Sequence, residues 1–262
     1  VNRSAELVIV DGVRYEPGEV CKTIVTHWNE DMQAYTAETT GRALPYGTYD
    51  IYEVSSVLST DNDDLANEYY LRSEAVLTFQ IREDGQTVTA DTDGNDLIFE
   101  DQVVRGDIEF RKIADSTSAR MKTAWVLTNN TTGERHVIIA DQNGEFYSSA
   151  DRVKHTTNTN CNDVFLDRID AGERISMSEF TQRNRQGVWF GLGEDGTMAE
   201  PNDSVCALPY GQYTLSEVPT DTNEGYNLQE FVFYIYENNQ VVDIGTITND
   251  PIEIYTELTD SA

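Results

Sequence analysis

The chain has 262 residues, and 18 Lys plus Arg stand against 47 Asp plus Glu, a formal charge of −29. A field of that sign repels nucleic-acid phosphates and anionic lipid heads, so neither is an expected partner. With 14 Tyr and 9 Phe the chain is no disordered acidic tail, and it has no apolar run of about 18 residues to span a membrane.

The length suggests two domains. Leu7 to Val10 and Val20 to Thr26, around Asp11-Gly12, predict a first pair of strands. Ala43-Leu44-Pro45-Tyr46-Gly47-Thr48-Tyr49-Asp50-Ile51-Tyr52-Glu53-Val54 then reads as a Pro/Gly turn running into an alternating strand. Leu77, Phe79 and Ile81 alternate before Asp84-Gly85, and another short strand is expected near Leu97 to Phe99. Asp107 to Ile113 alternates again. Trp125-Val126-Leu127 and His136 to Ile139 flank Asn130-Thr131-Thr132-Gly133, a hairpin signal.

From Glu145 to Cys206 runs a polar insertion with Trp189, Phe190 and several Gly, too long for a plain connection. It predicts a functional loop or a small subdomain. The earlier motif then returns as Ala207-Leu208-Pro209-Tyr210-Gly211-Gln212-Tyr213-Thr214-Leu215-Ser216-Glu217-Val218, identical at eight of twelve positions. Phe231, Phe233 and Ile235 repeat the alternation of the first copy, and Ile244 to Thr248 closes the second. Period-two patterning, with neither a sustained 3.6 period nor a βαβ rhythm, predicts an all-β chain of tandem antiparallel β-sandwiches. The expected units are 1–104 and 105–251, the second with its insertion at 145–206; 252–262 is a linker or, from Ile254 to Asp260, the opening of a further domain. The first unit shows no counterpart of the strand that carries Lys112, so its opening strand is expected upstream of residue 1. Any export signal is likewise expected outside this segment.

Three cysteines (Cys21, Cys161, Cys206) without a CxxC pair, and three scattered histidines, argue against a metal centre, and no cofactor is expected. Asp61-Asn62-Asp63-Asp64 and Asp91 to Asp96 lack EF-hand spacing and read as solvated loops. Arg105-Gly106-Asp107 spells an integrin-binding tripeptide but sits at the unit junction, where it reads as a linker. No Gly-rich phosphate loop, Ser-His-Asp arrangement or HExxH is present, so no enzyme is expected. Lysine is scarce: Lys22, Lys112, Lys122 and Lys154 are the only four.

Glu109-Phe110-Arg111-Lys112-Ile113-Ala114-Asp115, the Leu208-Pro209-Tyr210-Gly211…Glu217 block and the closing Thr246-Ile247-Thr248-Asn249-Asp250 look like the SpaA/CnaB-type (prealbumin-like) domains of Gram-positive pilins and adhesins. The likeness covers nearly the whole chain, with the three motifs in the family's order. It implies an intramolecular isopeptide bond between Lys112 on the first strand and Asn249 on the last, assisted by Glu217 on a middle strand. The chemistry itself asks for such residues: an amine attacks a carboxamide only when neutral, burial disfavours its charge, and a carboxyl group can carry the protons. In the first unit Glu53 matches Glu217 and Asp101 stands where Asn249 does, with the lysine expected before residue 1 because Lys22 lies on the wrong strand.

In an exported protein Cys161 and Cys206 would be joined as a disulfide pinning the insertion, or else be two buried thiols. The resemblance implies a structural, adhesive segment of a cell-wall-anchored surface protein, extracellular, partnered by its flanking domains and by a host protein or glycan. Besides a secreted hydrolase accessory domain, which should show an adjoining catalytic constellation where none appears in the sequence, two alternatives share the pattern. One is an adhesin tip whose insertion binds a ligand, which would need Trp189 and Phe190 exposed beside a groove; the other is a pilin subunit.

Overall fold

The computed structural model describes all residues except 33, 40–42, 55–69, 72, 115–117, 182–185, 194–195 and 254–262. Asp115, the acidic run 61–64 and the expected opening of a further domain at 254–260 thus lie outside the described residues. The chain divides into two compact units, one formed by residues 1–60 and 72–102, the other by 103–262 with 61–71.

The first unit carries β1 (Val8–Val10), β2 (Val13–Tyr15), β3 (His27–Asn29), β4 (Ala34–Thr36), β5 (Gly47–Tyr52) and, after β6 (Tyr70–Leu71), β7 (Val76–Ile81). β5 and β7 pair antiparallel from Gly47↔Ile81 to Tyr52↔Val76. Val8, Val10, Cys21 and Tyr49 are buried together, with Tyr15, Leu44, Phe79 and Ile81 packed against them. On the other side of β5, Val1 and Asp50 exchange backbone hydrogen bonds and Asn2 faces Tyr49.

The boundary to the second unit falls within β8 (Gln102–Val103). That unit's strands are β9 (Arg105–Ala114), β10 (Ala124–Asn129), β11 (Arg135–Ile139), β12 (Glu145–Tyr147), β13 (Leu208–Pro209), β14 (Gly211–Glu217), β15 (Glu230–Ile235) and β16 (Val241–Asn249). One sheet has the antiparallel order β11-β10-β14-β15; the other has β12-β9-β13, with β16 also paired to β9. The two sheets share one core. Ile108, Phe110, Phe146 and Ile247 from the second sheet meet Trp125, Leu127, Ile138, Tyr213, Leu215, Phe233 and Ile235 from the first. Both faces of this sandwich are therefore built by alternation.

One pairing departs from the antiparallel expectation. β16 runs parallel to β9, from Val241↔Asp107 to Asn249↔Ala114, with a bulge between Asp243 and Gly245. Gly245 adopts φ 79°, a left-handed conformation that glycine takes without steric cost. The bulge shifts the inward phase, so Val242 and Ile244 face inward before it and Ile247 and Asn249 after it.

The repeated motif has a local meaning. In each copy the second tyrosine reaches back four residues: Tyr49 Oη donates to Pro45 O at 2.8 Å and Tyr213 Oη to Pro209 O at 2.6 Å. The ring is buried, and the hydroxyl finds its hydrogen-bond partner in a turn carbonyl. The repeat also extends to the neighbouring strand: Asn2↔Tyr49 occupies the place of Asn129↔Tyr213, so Asn2 corresponds to the end of β10.

Sequence patterning predicts no helix, yet the insertion holds two short ones, α1 (Leu166–Asp170) and α2 (Met177–Thr181). Five residues cannot hold a helix in water by themselves, so packing must do it. Ile175, Met177 and Phe180, with Phe165, Leu166 and Ile169, cover Ala124, Val126, Val137 and Ile139 on the outer face of β10 and β11. The β10–β11 half of that sheet is thus buried on both faces, which explains why Trp125-Val126-Leu127 and Val137-Ile138-Ile139 are unbroken apolar runs. β12 belongs to the sandwich through its pairing with β9, so the inserted chain starts after Tyr147 rather than at Glu145.

Phe180 is fully buried under this cover. Phe180→Ala should cost about 3–5 kcal/mol in denaturant unfolding and make the chain around α1 and α2 the first site of proteolysis. Unchanged stability would show that the helices are not anchored on the sheet.

Candidate functional site

Three alternating strands each carry a polar residue at or next to the end of their inward row. On β9 the row is Gly106, Ile108, Phe110, Lys112 and Ala114; on β14 it is Gly211, Tyr213, Leu215 and Glu217; on β16 it closes with Ile247 and Asn249. Period-two geometry leaves these side chains no route to solvent. The side chains of Lys112 and Glu217 are 0 % exposed, and so is Asn249.

Inside, the three groups meet. Lys112 Nζ donates to Asn249 Oδ1 and lies 3.5 Å from Glu217 Oε2. Asn249 Nδ2 donates to Glu217 Oε1 at 2.9 Å. The Trp125 ring centroid is 5.6 Å from Lys112 Nζ, and Phe110 packs edge-on against that indole at 5.3 Å. Burial lowers the Lys112 pKa below its ordinary 10.5 and outweighs the opposing pull of Glu217. A carboxamide carbon beside an amine inclined to be neutral, with a carboxyl group touching both, is a constellation for acyl transfer.

Sequence reasoning missed the residues that hold Glu217. Asn223 is 1 % exposed; its Nδ2 donates to Glu217 Oε1 at 3.0 Å and to Val218 O at 2.9 Å. Gln229 N–H donates to Glu217 Oε2 at 3.2 Å. Both residues sit in the β14–β15 connection, where no periodicity marks an inward side chain.

In the first unit Glu53 and Asp101 also converge. Ser73 N–H lies 2.8 Å from Glu53 Oε2 and 3.1 Å from Asp101 Oδ1. Asp101 is exposed there, and Lys22 is at the surface against Asp11, 3.3 Å away.

Other expected features resolve differently. Arg105-Gly106-Asp107 is the start of β9, not a linker, and both charged side chains are buried. The Arg105 guanidinium donates to the carbonyls of Cys206, Phe190 and Ala207 and stacks on Trp189 at 3.8 Å. Asp107 accepts from Ser148 Oγ at 2.6 Å. A Cβ at position 106 would meet Gln240 O at 2.7 Å, which is why glycine stands there. Trp189 and Phe190 are 4 % and 0 % exposed, so the insertion does not present them beside a groove.

Among the described residues no cysteine is bonded to another, so the expected Cys161–Cys206 disulfide is absent. Burial and the Asp107 charge push the Cys206 thiol up to about 12, and its Sγ lies 3.7 Å from Asn239 Oδ1. The insertion is held by packing and by a polar cluster instead.

That cluster centres on His136, buried in β11. Its Nδ1 lies 2.8 Å from Asp163 Oδ2 and its Nε2 3.0 Å from Glu134 Oε1, and its ring packs on Phe190 with centroids 4.5 Å apart. Glu134 accepts from Gly191 N at 3.0 Å and Leu192 N at 2.9 Å, and Asp163 from Val137 N at 2.9 Å. Burial opposes the charged ring, but the hydrogen bonds and charges of Asp163 and Glu134 outweigh it and hold His136 above 6.5. Burial also opposes the Glu134 carboxylate, yet His136 and the two N–H groups hold it below 4.5.

No protein-family profile and no curated protein sequence matches the chain. Among solved structures it is similar to the Bacillus anthracis TIE protein, at 14 % identity and TM-score 0.43 over 94 % of this chain and 31 % of that one. It is also similar to BcpA, the major pilin subunit of Bacillus cereus, at 20 % identity and TM-score 0.29 over 62 % of this chain and 36 % of that one. GBS52, the minor pilin of Streptococcus agalactiae, aligns at 12 % identity and TM-score 0.33 over 90 % and 71 %. The chain spans about a third of the length of the first two.

The His136 cluster sets a pH dependence. A raised folded-state histidine pKa gives stability fully present below 6.5 and lost as pH rises through the folded value; the lowered Glu134 value gives stability present above 4.5 and lost as pH falls through the folded value. The stability advantage of the native chain over His136→Gln should therefore be flat between 4.5 and 6.5 and shrink as pH is raised further. An advantage that grows with pH in urea titrations would show that the ring is held neutral.

Proposed function

We propose that this chain is a structural, adhesive segment of a Gram-positive cell-surface protein, and that its second unit closes itself with an amide between Lys112 Nζ and Asn249 Cγ. The observation that carries this reading is the buried contact of Lys112, Glu217 and Asn249 from three inward rows. The motif resemblance supplies the setting: an extracellular, wall-attached protein whose partners are its flanking domains and a host protein or glycan. The units act as successive beads, 1–104 and 105–251.

The reaction runs once per molecule. Glu217 takes a proton from Lys112 Nζ across the 3.5 Å contact, and the neutral amine adds to Cγ of Asn249. Glu217 returns that proton to Nδ2, which it already contacts, the C–N bond to Nδ2 breaks, and Glu217 then takes the second proton from the former amine nitrogen, leaving a neutral amide. One N–C bond forms, one C–N bond breaks and ammonia leaves; no cofactor or oxidant is consumed. Because the product amide stays in the protein, there is no turnover and the chain is no enzyme in the ordinary sense. In the first unit Glu53 and Asp101 are the corresponding groups, and an amide there needs a lysine from outside residues 1–104.

A covalent tie between first and last strands suits a protein that bears load. Survival under pulling and proteolysis follows the unfolding rate, and the tie removes the step in which β9 and β16 separate. The acidic surface keeps crowded surface chains mutually repelling.

Intact mass tests the reading. The folded chain should weigh one ammonia less than its sequence, and the shape-preserving Glu217→Gln variant should keep its full mass. The rate of loss should rise with pH and level off below 10.5, since burial holds Lys112 under that value. Full mass in folded native protein would remove the proposal. Breaking the buried cluster with Glu217→Ala should also cost about 3–5 kcal/mol, because it leaves the buried amine without its carboxylate.

A further inference from the structure

We infer that Asn223 is a positioning residue for amide formation, setting the rotation of the Glu217 carboxyl group and closing the reaction centre to solvent. The inference rests on the proposed Lys112–Asn249 bond and adds to it a residue that the motif resemblance does not include.

Glu217 has two tasks on two atoms. Its Oε2 must face Lys112 Nζ, and its Oε1 must face the departing nitrogen of Asn249. The last bond of a Glu side chain rotates in a broad, roughly two-fold well, so the backbone does not select this orientation. Asn223 does. Its Nδ2 donates to Oε1 at 3.0 Å and, in the same grip, to Val218 O at 2.9 Å, while its Oδ1 accepts from Thr220 N at 2.7 Å. The amide can therefore be neither flipped nor turned without losing a buried hydrogen bond. Gln229 N–H fixes the second oxygen at 3.2 Å from the other side.

The loop that carries Asn223 is itself fastened to the chain just beyond Asn249. Asn227 N–H donates to Asp250 O at 2.9 Å, Ile252 N–H to Gly225 O at 2.8 Å, and Tyr226 is bridged to Pro251. The positioning residue and the acyl donor are thus held by one local assembly. Beside it opens a cleft of about 480 Å³, lined in part by Arg174, Tyr226, Leu228 and Asn223. Asn223 lines this cleft and also touches Glu217, so its side chain lies between the cleft and the carboxyl group beside the amine. Admitting water there would restore the hydration that burial removes from Lys112 and favour its unreactive, charged form.

The test uses the full chain made by cell-free translation, quenched in denaturant at intervals and weighed, with tryptophan fluorescence following folding in parallel. Asn223→Leu, which fills the space without donating, should fold yet lose ammonia roughly 10- to 100-fold more slowly, the worth of one hydrogen bond to a charged group. Asn223→Gln, which restores a donor, should recover part of the rate. The pH at which the rate is half-maximal should move in Asn223→Leu, which a purely structural role would not cause. If Asn223→Leu fails to fold, Asn223→Asp keeps the shape, removes the donor and should show the same loss. A folded Asn223→Leu or Asn223→Asp chain that reacts at the native rate with the native pH profile overturns the inference. Native chain that never loses ammonia refutes the amide itself instead, so the two failures are distinguishable.

Discussion

A lysine in the inward row of a β-strand is the constraint from which the rest of the second unit follows. Lys112 shares its phase with Ile108 and Phe110, so the pleat that builds the core also buries an amine. An isolated ammonium in that place would be costly, and the unit answers with Glu217 and Asn249 at the ends of two other inward rows. The result is an arrangement in which charge, hydrogen bonding and reactivity are one problem. Burial that makes the ammonium unwelcome also makes the amine a nucleophile, and the carboxylate that compensates the charge is placed to move the proton.

The parallel pairing of β9 and β16 gives that contact its mechanical meaning. Both strands run the same way, and Lys112 and Asn249 lie near the same ends of their strands, with Asn249 opposite Ala114. If the proposed amide forms, tension entering along β9 would reach Lys112, cross that bond and leave beyond Asn249. The hairpins, the insertion and the first sheet lie between those two residues in sequence and stay outside the load path. A domain closed by the proposed amide would carry a long insertion without weakening, which fits the chain between Tyr147 and Cys206 being placed there.

The alternation of β9, β14 and β15 and the Pro-Tyr-Gly repeat were legible because each carries a period or a turn chemistry of its own. Lys112, Glu217 and Asn249 were legible through motif resemblance, and the strand phases supply the physical reason for their burial. The insertion was not legible, since its helices exist only by packing on the outer face of β10 and β11; the unbroken apolar runs of those strands were the available signal. Nor were Asn223 and His136 legible. A loop asparagine and a strand histidine acquire their partners, Glu217 for one and Asp163 with Glu134 for the other, from chain distant in sequence or from an irregular connection. The Cys161–Cys206 pairing failed for a related reason: bracketing a loop in sequence says nothing about whether two thiols meet in space.

The most direct test of a covalent first-to-last-strand tie is to stretch single full-length chains from their ends and measure the length each unfolding event releases. Lys112 and Asn249 are 137 residues apart, a span of about 480 Å at roughly 3.5 Å per residue when extended. With the amide in place that length stays locked, and extension comes only from chain outside the tie, at any force below bond rupture. Release of the full ~480 Å from the second unit, in protein that has been allowed to fold and mature, would contradict the account.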